Sequence, residues 1–193
     1  MTFLSSLAGL SVLLMLLAPP PLAPDASRTL FATGADDSVE QALESSVPIA
    51  PGRWRYVYVH HSRTEDGNAA ALARDHLGLG DHFLIGNGRG CADGEIQVSH
   101  RWDRQLPAAP AGANVSADCI SICVVGDFDR STPTSAQLKR LEQLIHAIGK
   151  RCGVPSDNVL AIDRSGSAAG LGRNFPAVRY LRMVAPQMMR RQR

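Results

Sequence analysis

Tyr56-Val57-Tyr58-Val59-His60-His61-Ser62 (YVYVHHS) decides the fold. Its β-branched and aromatic residues predict a strand. Apolar residues fall on both parities, which predicts cover on both faces and hence a central place in a sheet. The strand ends on two histidines and a serine, and a rigid strand end is where a scaffold presents a metal ligand or a catalytic base. Successive side chains point to opposite faces, so His60 and His61 serve one site only if a bulge intervenes. Otherwise one or both imidazoles are hydrogen-bonded structural groups.

Outward from this strand the pattern alternates. Asp66 to Gly78 has the alanine and leucine content of a helix stopped by glycine. Asp81–Gly86 reads as a short buried strand, and Glu95–Val98 as its hairpin partner across a glycine-rich turn. Those glycines follow a strand but open no helix, so they do not make a phosphate loop. Cys119–Gly126 is a second central strand, with Cys119, Ser121 and Cys123 on one face. Thr134 to Cys152 is the clearest helix: Thr134 and Gln137 fit a capping box, Leu138, Leu141, Leu144, Ile145 and Ile148 form one stripe, and Gly153 and Pro155 end it. Val159–Asp163 predicts a strand, Arg164–Arg173 a loop, and Pro176–Met189 a final helix. Strands alternating with helices, plus a hairpin, predict an α/β fold with a mixed central β-sheet flanked by helices.

The 193 residues suit one domain with a real core, and a net charge of +2 gives no argument for nucleic acid. Phe3–Ala18 is apolar and uncharged and is followed by three prolines. Its length fits a signal-peptide core and is short for a membrane span, although no basic residue precedes it. Residues 1–23 are therefore expected to be a signal peptide or an N-terminal anchor, and the domain is expected outside the cytoplasm. Membrane contact is expected through this segment alone. Residues 24–52 read as a linker with at most one short helix over Ser38–Glu44, 53–185 as the folded domain, and 186–193 as a basic tail. The four cysteines allow three pairings. Cys119 and Cys123 lie ~13 Å apart along a strand, too far to bond, and buried thiols are the plain expectation.

No G-x-S-x-G elbow is present. Asp127 and Asp129 follow a strand and read as turn-capping or solvated carboxylates, not an acid pair. Ser165 and Ser167 sit in a loop with no base placed beside them.

The order of segments resembles the zinc N-acetylmuramoyl-L-alanine amidases, which share a fold with the peptidoglycan recognition proteins. The resemblance runs from Trp54 to Leu181. It is carried by Tyr56–Ser62, His82–Gly86 (HFLIG), Asp93-Gly94-Glu95-Ile96, Arg101-Trp102, Ile120–Phe128 (ISICVVGDF), Pro133–Ile145 and Asn174-Phe175-Pro176. It implies a zinc ion held by three protein ligands, commonly two histidines and a cysteine, with water in the open position. The metal brings that water's pKa to ~7, and the hydroxide attacks the lactyl amide between muramic acid and L-alanine.

Residue by residue, the resemblance implies His60 as first zinc ligand. Asp81 stands where the family has a tyrosine before His-Phe. Asp163 stands at the position of the second zinc histidine, and the family's cysteine falls near Gly170 or Leu171, which bind no metal. The loop before Asp81 is shortened. His60 and Asp163 are the implied zinc ligands, with His61, His82 and Ser165 the nearest candidates to complete the set. His60, His61, Asp81, Arg101 and Asp163 are the implied substrate-binding residues, and catalytic candidates come down to His60, Asp81 and Asp163. The expectation is an exported domain that binds peptidoglycan or a muropeptide, with hydrolysis degenerate or lost. An active zinc amidase and a non-catalytic interaction protein with a vestigial groove are the alternatives.

Overall fold

The computed structural model describes residues 28–30, 37–73, 78–110, 115–161 and 171–176. Among these, β1 (Arg28–Leu30), β2 (Tyr56–His61), β3 (Phe83–Ile85), β4 (Ile96–Val98), β5 (Cys119–Val124) and β6 (Val159–Ala161) form one six-stranded sheet. Their order is β1-β4-β3-β5-β2-β6. β2 runs parallel to both β5 and β6, and β5 parallel to β3. β3 and β4 form the antiparallel hairpin, and β1 adds antiparallel to β4. Three α-helices accompany the sheet among the described residues, α1 (Asp37–Ala42), α2 (His100–Asp103) and α3 (Ser135–Cys152), with a 3-10 turn at Ser156–Asn158 leading into β6. The mixed sheet flanked by helices is the architecture that the alternating pattern predicts.

β2 is an internal strand, paired on both sides but second from the β6 edge, and its two-sided apolar pattern agrees with burial of both faces. Val57 and Val59 face one way, joining Ile120, Ile122, Phe83 and Leu144 in the main core. Tyr58 and His60 face the other way. α3 supplies the main helical cover. Thr134 and Gln137 close a reciprocal capping box at its start, and Gly153 ends it at φ 71, a left-handed conformation suited to glycine. Gln137 is drawn into the sheet ends, where its side-chain amide donates to the carbonyls of Val125 and Ile85. The helix N-terminus is thereby pinned over the C-terminal ends of β3 and β5.

Two expectations change. The stretch 24–52 is not a bare linker. Its described parts include β1, which hydrogen-bonds to the sheet edge, and α1, whose Val39 and Ala42 enter the main core with the following Leu43. The fold therefore reaches at least to Arg28. The helix expected over Asp66–Gly78 is not formed in its described portion, where 69–72 are turns and 74–77 lie outside the described residues. Side chains take the backbone groups a helix would use: Asn68 Oδ1 accepts from Ala71 N–H, and Gln97 Oε1 accepts from Ala69 N–H. Residues 162–170 and 177–193 are also outside the description, and with them the end of the strand expected to Asp163 and the body of the final helix.

Candidate metal and substrate site

The parallel register sets His60 of β2 beside Cys123 of β5. Neighbours in register point to one face, so imidazole and thiol project together. Asp81 approaches from the turn that leads into β3. One ligand atom from each of His60, Asp81 and Cys123 lies within 4.8 Å of the other two, and all three residues are buried. His60 Nε2 is 2.7 Å from Asp81 Oδ1. Ser121, two residues before Cys123 on the same face, donates its hydroxyl to that same carboxylate oxygen. The Tyr58 ring stacks on His60 at 5.0 Å between centroids and fixes the plane of the imidazole.

The electrostatics favour an anionic Asp81. Burial alone would raise its pKa, but the charge and hydrogen bond of His60, then the Ser121 hydroxyl and His82, pull it below the ordinary carboxylate value. His60 Nδ1 lies 3.2 Å from the carbonyl of His61, so Nδ1 carries a proton and donates it. Nε2 is then the atom left to meet Asp81. The donor set is chemically apt for zinc: an imidazole with its second nitrogen tied to a backbone carbonyl, an ionised carboxylate and a thiol. In a tetrahedral zinc shell such atoms stand about 3.3–3.6 Å apart. The His60–Asp81 contact, at 2.7 Å, is closer than that, and the pair would part by at least about half an ångström to take the ion.

These three residues lie in a cleft of about 450 Å³, whose walls include Ser62, Thr64, Leu72 and Leu79. Another cavity, of about 520 Å³, opens between α3 and β6 beside Val57, His146 and Val159. Among the described residues it gathers no comparable donor cluster.

The remaining sequence candidates are placed elsewhere. His61 points to the opposite face, as strand parity requires. Its ring stacks on Phe128 at 5.5 Å, and Nδ1 accepts the Phe128 N–H at 3.1 Å. Burial, reinforced by Arg63, lowers its pKa. His82 is fully committed: Nε2 donates to the Leu106 carbonyl and Nδ1 accepts the Ser121 N–H. Burial pushes its pKa down to about 4, so it is a neutral structural imidazole. Arg101 does not line the cleft. It sits on α2 and donates to the Pro107 carbonyl, while its neighbour Trp102 packs on Trp54 and Phe83. Leu171 is 2% exposed within the main core. Asp163, Ser165 and Gly170 lie outside the described residues. No disulfide joins Cys91, Cys119, Cys123 and Cys152.

A family model described as N-acetylmuramoyl-L-alanine amidase matches residues 50–170, which contain β2, the cleft and α3. The chain belongs to this amidase family. A bumblebee recognition protein, PGRP-SA, superposes with a TM-score of 0.51 at 17% identity, covering 69% of this chain and 84% of that one. An endolysin amidase from Clostridium intestinale gives 0.49 at 17% identity, covering 71% and 88%. A human PGRP in complex with glycosamyl muramyl pentapeptide gives 0.48 at 18%, covering 70% and 87%. Comparison with curated proteins gives no match.

Sequence reasoning missed Cys123 as a member of the amidase-family cleft. The signal was present, since Cys123 and His60 each stand near the end of a strand predicted to be central. Pairing them needed the β2–β5 register, which neither strand contains by itself.

Proposed function

We propose that this amidase-family domain is exported and takes a peptidoglycan glycan-peptide into the His60–Asp81 cleft, with the family's usual hydrolytic centre degenerate. The carrying observation is the cleft: an open groove with a polar, buried floor at the end of β2, within the segment that matches the amidase family. Degeneracy is supported by Leu171, an apolar core residue near the position of the family's cysteine, and by Asp81 in place of the tyrosine. Export is supported by the apolar Phe3–Ala18 stretch. Cosedimentation of the full chain with purified insoluble peptidoglycan tests the binding reading. Failure to cosediment would sink it and leave an interaction protein with a vestigial groove.

A second reading, cleavage of the muramoyl-L-alanine amide, is favoured by the three donor atoms at the cleft floor. His60, Asp81 and Cys123 would hold the zinc, which when bound supplies a Lewis acid and an acidified water. The chain's own contribution is positional. The His61 carbonyl holds the His60 tautomer, Ser121 orients Asp81, and Leu72 and Leu79 give the cleft an apolar wall. Release of L-alanine-terminated peptide from cell wall, abolished by chelation, would establish this reading; its absence in zinc-supplemented buffer would remove it.

A further inference from the structure

We infer that His60, Asp81 and Cys123 form a divalent transition-metal site, assembled on β2, the turn before β3 and β5. This ligand set is not the one the family resemblance implies, which pairs His60 with Asp163 and finds Gly170 or Leu171 where the family has its cysteine. The inference concerns the floor of the proposed cleft, but its test reads the metal and not peptidoglycan, so either can fail alone.

Three observations carry it. First, the geometry converges: three different donor types from three chain segments meet within 4.8 Å, at 3–4% exposure. Second, the contacts of His60 point to a cation. Nδ1 donates to the His61 carbonyl, and Nε2 faces a carboxylate oxygen that already accepts the Ser121 hydroxyl. Acceptors therefore face both ring nitrogens, and at 2.7 Å Nε2 and Oδ1 share a proton that a metal ion bound to both atoms would replace. A metal-ligating histidine characteristically gives its other N–H to a carbonyl or a carboxylate, and a ligating carboxylate is itself hydrogen-bonded. Both supports are present. Third, the three residues line an open cleft, so a fourth coordination position faces a ligand and not the core.

Imidazole, carboxylate and thiolate together select a borderline-soft ion. Zinc suits the set, and cobalt(II) substitutes as a coloured probe. Ligation displaces a proton from Cys123 and the one shared by His60 and Asp81, so binding releases protons to solvent. Ser62 and Thr64 line the same cleft and offer hydroxyls to a ligand bound there.

The test is cobalt(II) titration of the chelator-stripped full chain, read by absorption. The expected result is stoichiometric binding with a near-ultraviolet thiolate-to-cobalt charge-transfer band. Cys123→Ser preserves size and removes that band, and His60→Gln weakens cobalt binding by at least about tenfold. Ser121→Ala, which touches the carboxylate and no metal, weakens binding by about tenfold while keeping the band. Cys119→Ala leaves both unchanged and serves as the folded control on the same strand. A wild-type chain that retains no cobalt, or a band that persists in Cys123→Ser, would overturn the assignment.

Discussion

The two faces of the sheet at the end of β2 are made from adjacent histidines and do opposite things. His61 faces the side covered by α3, stacks on Phe128 and accepts a backbone N–H. His60 faces the cleft, where it meets a carboxylate and a thiol. A one-residue step along the strand thus separates a packing group from a candidate ligand, because strand side chains alternate with a period of two. The lesson is that an HH pair at a strand end should be read as one residue for each face.

The largest effect expected from breaking this division is on the packed side. Phe128 is 1% exposed and touches both His61 and Phe175. Phe128→Ala should cost about 3–5 kcal/mol in denaturant unfolding. Removing His60 should cost nearly as much, for a different reason. His60→Ala strands the Asp81 carboxylate in a buried site, a loss of about 3 kcal/mol that Asp81→Asn in the same chain should largely restore. A double-mutant cycle measured by chemical denaturation checks this, and additive effects would contradict the pairing. His61→Phe keeps the ring stack but leaves the Phe128 N–H without its acceptor, and should cost about 1–3 kcal/mol without altering cobalt binding.

A smaller effect appears only at alkaline pH. Burial, then the neighbouring Asp118 carboxylate, raises the Cys119 pKa from 9.0 to about 12. The fold favours the neutral thiol, so its contribution is fully present below pH 9 and is lost as pH rises toward 12. Melting temperature against pH should fall across that window, and Cys119→Ala should flatten the fall.

The strands, the hairpin and α3 were legible in the sequence because their signals are local: alternation in YVYVHHS, a capping box at Thr134, a left-handed glycine at 153. β1 was not legible, since three residues gain strand identity only by pairing with β4. The turns at 69–72 were misread as helix because propensity does not register that Asn68 and Gln97 capture the backbone N–H groups. Within the site, His60 and Asp81 could be named from the family pattern. Cys123 could not, because its role depends on a parallel register between strands some sixty residues apart.

Ligand binding in the cleft on the His60 face is open to direct test. Ala71 is exposed on the wall of that cleft, so Ala71→Trp fills the groove without entering the core. Its effect on stability should stay within about 0.5 kcal/mol. The direct measurement is cosedimentation with purified insoluble peptidoglycan of the full chain and of Ala71→Trp at matched melting temperature. The wild type should pellet, and the variant's affinity should drop at least about tenfold, or about 1.4 kcal/mol. Equal pelleting of both, or of neither, would contradict binding in the cleft.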